Sequence, residues 1–269
     1  MERFWRELRW LWGTSWPLYA ATVLGTNVIA AIGCMLFVRY LIPMPEVREL
    51  GLSGQLGAIG VIYAAVAVVL GVVVTLYLFR PVLEWQRHPD GHDPNMVRHL
   101  VMRLPVLQTI IVVGVWGIGT AIVTVGAWRV DVRLATVVLA TAALTTFVTA
   151  VLTYLQAERL VRPIAASALA RRFEDSTLQP PIKWQLYLTW FTTSAVPMVG
   201  VLLLTVAQRH DYFTGNVGEL TSAIVALITA GMATGFVGTA LVIMSVVDPI
   251  KELQAAINRV RRGCLFIHI

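Results

Sequence analysis

Two histidines and two aspartates lie within six positions of one polar stretch: His88, Asp90, His92 and Asp93. Imidazole and carboxylate groups are the ligands with which proteins hold zinc and related metals. Three turn-forming residues are interleaved with them: Pro89, Gly91 and Pro94. A metal site also needs ligands held in fixed geometry, whereas this composition is typical of a turn-rich loop. We therefore predict a loop at residues 88–95 that holds no metal or cofactor.

Catalytic groups at a usable spacing are not found elsewhere in the sequence. There is no glycine-rich phosphate loop, and no nucleophile stands in a motif with a base. Acidic residues are few and lie mostly in the polar segments between apolar stretches. We predict that this chain is not itself an enzyme.

A second polar group lies inside an apolar stretch, where Thr192, Thr193 and Ser194 precede Pro197. Hydroxyls of this kind usually bond to their own helix or to a neighbouring one, at about 0.6 kcal/mol each. Alternatively, the group lines a ligand pocket beside a helix that Pro197 interrupts. Other polar residues of the apolar stretches include Asn27 and Gln108. The sequence leaves both interpretations open.

Gly231 and Gly235 form a small-xxx-small motif in the last apolar stretch. Small residues at this spacing let two membrane helices approach closely. We predict a packing face here, either within one chain or between two chains.

The elements that carry these residues are predicted to be transmembrane helices. Of the 269 residues 57% are hydrophobic and 13% are charged, against about 25% charged in soluble domains. Six apolar stretches reach the roughly 20 residues that a helix needs to cross a bilayer. They lie near 16–41, 56–79, 106–128, 134–157, 185–207 and 219–247. The predicted fold class is an all-α membrane protein with six transmembrane helices.

The distribution of Lys and Arg predicts the orientation. Sixteen of the 21 lie at the start, at the end and after the second and fourth stretches, and five lie in the other connections. Since cytoplasmic segments are enriched in these residues, both termini are predicted to be cytoplasmic, in a multi-pass protein of the plasma membrane. The formal charge of +6 is then a topology signal with a secondary attraction to anionic membrane lipid, and no nucleic-acid partner is expected.

A short sequence motif that contains a proline recurs at the end of every second apolar stretch, around Pro81, Pro163 and Pro249. The prolines are 82 and 86 residues apart, which predicts three related helical hairpins. Each proline is expected to end or kink a membrane helix. In the first two copies the residue before the proline is basic, and we expect it to cap the end of a helix. In the third copy this residue is Asp248, which could instead begin a new helix as its N-cap.

Residues 248–263 are amphipathic. Their apolar members recur at spacings of three, four and three: Ile250, Leu253, Ile257 and Val260. This is the a/d seam of a helix that packs on another helix. Because so short a seam is not stable alone, it predicts a partner helix or a second copy of the chain.

An apolar span followed by Asp248-Pro249-Ile250 and a basic a/d helix resembles the first helix of a HAMP domain, which relays signals from membrane segments to cytoplasmic domains. With six spans in three hairpins, residues 1–263 resemble the membrane half of actinobacterial six-span HAMP-containing class III adenylate cyclases. The resemblance implies a homodimer and a regulatory membrane domain for cyclic AMP synthesis. The HAMP connector, its second helix and the cyclase domain have no counterpart in this sequence.

The expected division is an N-terminal segment 1–15, a membrane domain 16–247, a partial HAMP module 248–263 and an aberrant tail 264–269 that suggests a truncated copy. Its partners would be membrane lipid and a second copy or a full-length relative. Since the outer connections are short, the input is expected to be a lipid-phase ligand. The alternatives are a small transporter subunit and the input half of another HAMP receptor.

Overall fold

The structure of the protein, a computed structural model, describes residues 14, 16–42, 44, 55–87, 94–169, 182–213 and 217–261. These residues form seven α-helices and two π-helical turns, and no strand is found among them. The helices are α1 (Trp16–Leu36), α2 (Gln55–Arg87), α3 (Pro94–Trp128), α4 (Val132–Leu169), α5 (Ile182–Trp190), α6 (Val196–Arg209) and α7 (Val217–Arg261). The π turns are Phe37–Leu41, directly after α1, and Phe191–Ala195, between α5 and α6.

Six stretches within these elements are long and apolar enough to cross a membrane: Trp16–Leu41, Gly57–Arg87, Val101–Trp128, Val132–Val161, Trp184–Arg209 and Gly218–Met244. The fifth consists of α5, the second π turn and α6. The prediction of an all-helical protein with six candidate spans is confirmed at this level of length and composition.

Three helices continue past the prolines at which the sequence predicts an end or a kink. α2 includes Pro81, α4 includes Pro163 and α7 includes Pro249. The helix ends predicted at Pro81 and Pro163 were wrong. At Pro249, where an end or a kink is predicted, the helix does not end, and the kink stays a prediction. A proline inside a helix removes one backbone hydrogen bond, at a cost of about 3 kcal/mol in a soluble helix, and proline is tolerated in membrane helices because nearby groups satisfy the freed carbonyl.

The capping roles proposed for the residues before these prolines were wrong for the same reason. Asp248 has helical neighbours on both sides, so it does not begin a helix. Arg80 lies inside α2, and its Nε donates to Glu84 Oε1 at 2.8 Å, one turn further along. The pair is exposed and is therefore worth less than about 0.5 kcal/mol.

Several predictions fall outside the residues that the structure describes. They concern the segment 1–15 apart from Thr14, the loop residues 88–93 and the tail 264–269. The side chains of Asp248, Pro249 and the four seam residues are also outside this set, although their backbone belongs to α7.

α4 lies at the centre of the bundle. It pairs with α3 across the short connection 129–131, where the Asp131 carboxylate accepts a hydrogen bond from the backbone N–H of Arg133 and caps α4. It also contacts α1, α5, α6 and α7. In the most apolar window of α4, 44% of the residues are buried, against 6% in α2. The first span, which includes α1, is buried to the same 6%, and α2 is distinguished by packing mainly on α1 and α3.

A buried apolar cluster closes each end of the bundle. At one end Tyr19 of α1 packs on Phe79 of α2 with ring centroids 4.6 Å apart, next to Val101 and Val161. At the other end the connections meet, and a buried cluster includes Ile42, Met44, Leu134 and Phe213. The middle of the bundle between these clusters is less evenly filled, and the candidate site lies there.

Candidate functional site

An apolar cavity of about 590 Å³ lies between α1, α2, α3 and α4. Ligand sites in proteins commonly have about 300–1,000 Å³ and an apolar lining with a few polar groups. Aliphatic side chains such as Leu24, Val112 and Val138 provide most of this lining. The cavity therefore has the size and character of a site for a small apolar molecule.

The wall that α2 contributes consists largely of small residues. Gly57, Gly60, Ala64, Ala67 and Gly71 all line the cavity, and their spacings of three, four, three and four place them on one helical face. Because these residues have little or no side chain, the space between α2 and the rest of the bundle stays unfilled. Nothing would lie within 4 Å of a Cβ added at Gly60.

Two close contacts hold α2 against its neighbours. A Cβ at Gly71 would lie 2.7 Å from Leu24 Cδ2, so α2 and α1 nearly touch there. The ring of Tyr63 lies over Gly119 of α3, where an added Cβ would be 2.6 Å from Cε1. The Tyr63 hydroxyl donates to the carbonyl oxygen of Val115 at 2.5 Å. Tyr63 therefore fixes the separation of α2 and α3 beside the cavity.

A layer of hydrogen bonds between helices borders the cavity. Trp116 Nε1 donates to Asn27 Oδ1 at 2.9 Å, and Asn27 Nδ2 donates to the carbonyl oxygen of Val23 at 2.8 Å and to Thr153 Oγ1 at 3.3 Å. One turn away on α4, Gln156 and Thr26 exchange hydrogen bonds of 2.8 and 3.0 Å. In a membrane interior these bonds satisfy groups that lipid cannot satisfy. They link α1, α3 and α4 along this side of the cavity.

Gln108 of α3 differs from this layer. It lines the cavity, is 2% exposed, and its Oε1 is buried without a hydrogen-bond partner among the described residues. A buried amide oxygen without a donor costs about 1–3 kcal/mol. Gln108 therefore holds an unused acceptor beside an apolar space, and its amide has to turn for a group in the cavity to reach that oxygen.

Arg39 lines the other end of the cavity, close to the end of the first span. Its Nε and Nη1 are buried and have no hydrogen-bond partner among the described residues, and its guanidinium carbon lies 5.2 Å from the centroid of the Tyr40 ring. An arginine at the end of a span can extend towards the polar interface. The charge therefore lies at the rim rather than in the middle of the cavity.

The residues for which the sequence suggested a ligand pocket lie together elsewhere, at the contact of α5 and α6 with α7. The Thr192 hydroxyl donates to the carbonyl oxygens of Leu188 and Thr189, both at 2.9 Å, and the Thr193 hydroxyl donates to Thr189 at 2.6 Å. Ser194 lies in the same π turn. These bonds match the structural interpretation of the hydroxyls, and the pocket at this place stays a prediction.

Pro197 and the two glycines of α7 also meet at this contact. A Cβ at Gly231 would collide with the Pro197 ring, and one at Gly235 would collide with the Thr193 side chain. The glycines thus pack within one chain. Since Pro197 has no N–H to bond the carbonyl of Thr193, the π turn directly before it has a local cause.

Neither the cavity nor the role of Gln108 follows from the sequence interpretation above. The usable signal was the periodicity of the small residues from Gly57 to Gly71, opposite a helix with one glutamine among aliphatic residues. That signal alone does not distinguish a cavity from a close helix contact.

The chain is similar to proteins of mycobacteria. It is 23% identical over 249 residues to the uncharacterized protein Rv1319c of Mycobacterium tuberculosis, which covers 90% of this chain and 45% of the relative. Another relative from the same organism, the uncharacterized protein Rv1318c, is 27% identical over 155 residues, which is 55% of this chain and 27% of the relative. Mycobacterium bovis has similar proteins at the same identities.

The chain spans less than half the length of these relatives. No protein-family model matches the chain. No solved structure matches it either.

Proposed function

We propose that the chain is the membrane sensory and dimerisation module of a cyclic AMP signalling protein of the adenylate cyclase type. The observation that carries the proposal is the length of α7. This helix is continuous from Val217 to Arg261 and so continues past residue 247, where the apolar stretch is predicted to end. At 1.5 Å per residue, residues 248–261 extend about 21 Å beyond that stretch.

The extension of α7 contains the a/d seam of Ile250, Leu253, Ile257 and Val260. A regular helix that continues from a membrane span into such a seam is suited to pair with the same helix of a second chain. The relatives, which are more than twice as long as the matched region, have room for an output domain. The proposal places both termini in the cytoplasm of a plasma-membrane protein, as the Lys and Arg distribution predicts.

Contacts connect the cavity with this extended helix. α4, which forms part of the cavity wall, contacts α7, and so does the π turn Phe37–Leu41 at the end of α1. An input that changes the spacing of α1 and α4 therefore acts directly on the neighbours of α7. The proposed signal is a molecule in the lipid phase, since the cavity lining is apolar.

Cysteine crosslinking in lipid nanodiscs tests the proposal. In a background with Cys34→Ala and Cys264→Ala, Ile257→Cys or Val260→Cys should give disulfide-linked dimers on mild oxidation. Ala255→Cys, on the opposite face of the same helix, is the matched control and should crosslink at least tenfold more slowly. Equal crosslinking at all three positions, or none at any of them, would contradict the paired seam.

The cyclase part of the proposal needs a separate readout. Residues 1–263, joined to a class III cyclase catalytic domain whose active site is shared between two copies, should support cyclic AMP synthesis. Ile257→Glu should lower that synthesis at least fivefold because it places a charge in the seam. Ala255→Glu, on the outer face, should leave it unchanged. If both variants behave like the parent fusion, α7 does not control the output domain.

A transporter subunit is the second candidate, and the π turn at Phe191–Ala195 is the observation that favours it, because interrupted helices are common at transport sites. Transport sites also commonly contain ionisable groups in the middle of a span. Among the described residues, Arg39, Glu158 and Arg159 lie near span ends. Uptake of a solute into liposomes that contain the purified chain would favour this candidate.

A further inference from the structure

The polar groups on the cavity wall have unequal hydrogen bonding. Asn27 and Trp116 bond to each other, and the Tyr63 hydroxyl bonds to the backbone of α3. Gln108 Oε1 differs from these groups, because it is buried and has no hydrogen-bond donor among the described residues. A leucine would fill a similar space without the cost of a buried amide oxygen that lacks a donor. A glutamine at this position therefore makes sense if a hydrogen-bond donor enters the cavity.

The surroundings restrict what that donor can be. Gln108 lies within the third candidate span, on α3, and is 2% exposed. The wall opposite it is apolar, and the outer face of α2 has large exposed side chains such as Val69 and Val73 that suit contact with lipid. A molecule that reaches Gln108 is therefore apolar over most of its surface and comes from the bilayer.

We propose that the cavity binds an apolar, membrane-soluble molecule with one hydroxyl group, whose O–H donates to Gln108 Oε1. The amide oxygen gains the donor that it lacks, and the hydroxyl gains an acceptor that lipid chains do not offer. The small residues of α2 from Gly57 to Gly71 accommodate the apolar body of the molecule. Only its action as a signal rests on the proposed function.

Arg39 is the competing anchor, because a guanidinium attracts an anionic head group. Its Nε and Nη1 are buried, but the side chain as a whole is only partly buried, so interfacial water or lipid phosphate can pair with it through Nη2. Gln108, by contrast, is 2% exposed. The observations therefore favour a hydroxyl at Gln108 over a carboxylate at Arg39, and the two choices give opposite results in one experiment.

The experiment uses the full chain in nanodiscs and three photoactivatable probes with the same 16-carbon chain: the alcohol, its methyl ether and the carboxylic acid. The ether keeps the shape of the alcohol but cannot donate. The alcohol should label α2 and α3 saturably and bind about three- to tenfold more tightly than the ether, the range expected for one hydrogen bond. Labelled peptides are identified by mass spectrometry.

Variants locate the interaction. Gln108→Leu should remove the preference for the alcohol over the ether, and Gln108→Met serves as a second variant if the first does not fold. Ala64→Phe should block both probes by filling the cavity. Ala58→Phe is its matched control, because Ala58 is exposed on the same helix outside the lining and should leave labelling unchanged.

Equal binding of alcohol and ether to the unmodified chain would overturn the proposal, since it would show that any lipid chain fills the space. The proposal would also be overturned if the acid bound more tightly than the alcohol and Arg39→Gln abolished that tighter binding. Crosslinking at Ile257→Cys, measured with and without the alcohol, separates the site from the signal. Saturable alcohol binding without a change in crosslinking supports the site and counts against the sensory function.

Discussion

Glycines have opposite effects in the two halves of this bundle. In α7, Gly231 and Gly235 receive Pro197 and Thr193, and Gly238 lies 3.5 Å from Thr189 at the position a Cβ would take. In α2, the stripe from Gly57 to Gly71 faces a cavity and touches a neighbour closely at Gly71. Small residues thus bring membrane helices together only where the partner has a side chain of matching shape at the same level.

Gly231→Leu is expected to cause the largest loss of unfolding free energy, because the rigid Pro197 ring cannot move out of the way of a new side chain. Overpacking of this kind costs about 1–3 kcal/mol of unfolding free energy. Reversible unfolding in mixed micelles, followed by circular dichroism, measures it. Gly218→Leu, on the same helix with nothing within 4 Å of the new Cβ, should change stability by less than about 0.5 kcal/mol. Similar losses for both variants would contradict the close contact.

A smaller effect is expected when a bond between helices is removed from the cavity half. Thr26→Val removes the hydroxyl that exchanges hydrogen bonds with Gln156 of α4 and should cost about 0.6 kcal/mol. Thr22→Val removes only a bond to Leu18 within α1 and is the matched control. The same unfolding assay would refute the role of this layer if the two variants were equally stable.

No loss of stability is expected from Gly60→Leu, in direct contrast to Gly231→Leu. The new side chain enters open space, and leucine is a better helix former than glycine, which is about 0.8–1.0 kcal/mol less favourable than alanine. Stability should therefore be unchanged or raised by up to about 1 kcal/mol in the same assay. A loss as large as that of Gly231→Leu would show that α2 packs as tightly as α7 and that the cavity does not exist.

The sequence was sufficient to predict the six apolar helices, because a span needs a minimum length of apolar residues wherever its neighbours lie. It was insufficient at Pro81 and Pro163, because local proline chemistry does not reveal which nearby groups satisfy the freed carbonyl. The hydrogen-bond partners of Asn27 could not be predicted from the sequence either. Trp116 and Thr153 lie 89 and 126 residues away, and their contact depends on the packing order of α1, α3 and α4.

The candidate site also depends on how the helices pack, which the sequence does not reveal. Gln108 was visible as a polar residue in an apolar stretch, but its lack of a donor depends on three other helices. For Thr192 and Thr193 the local pattern already indicated hydrogen bonds to their own helix, and such bonds need no knowledge of neighbours. Hydrogen bonds of hydroxyls to their own helix were thus predictable, and the hydrogen-bonding state of groups facing another helix was not.

The unbroken length of α7 has a mechanical consequence. The helix is held near its middle where Gly235 meets Thr193, and Arg261 lies 26 residues further on, about 39 Å at 1.5 Å per residue. A tilt of roughly 10° about that fulcrum would displace the far end by about 7 Å, while the helices around Gly235 shift by a fraction of an ångström. A helix of this length, held at one point, would turn small movements within the membrane into larger ones at its end.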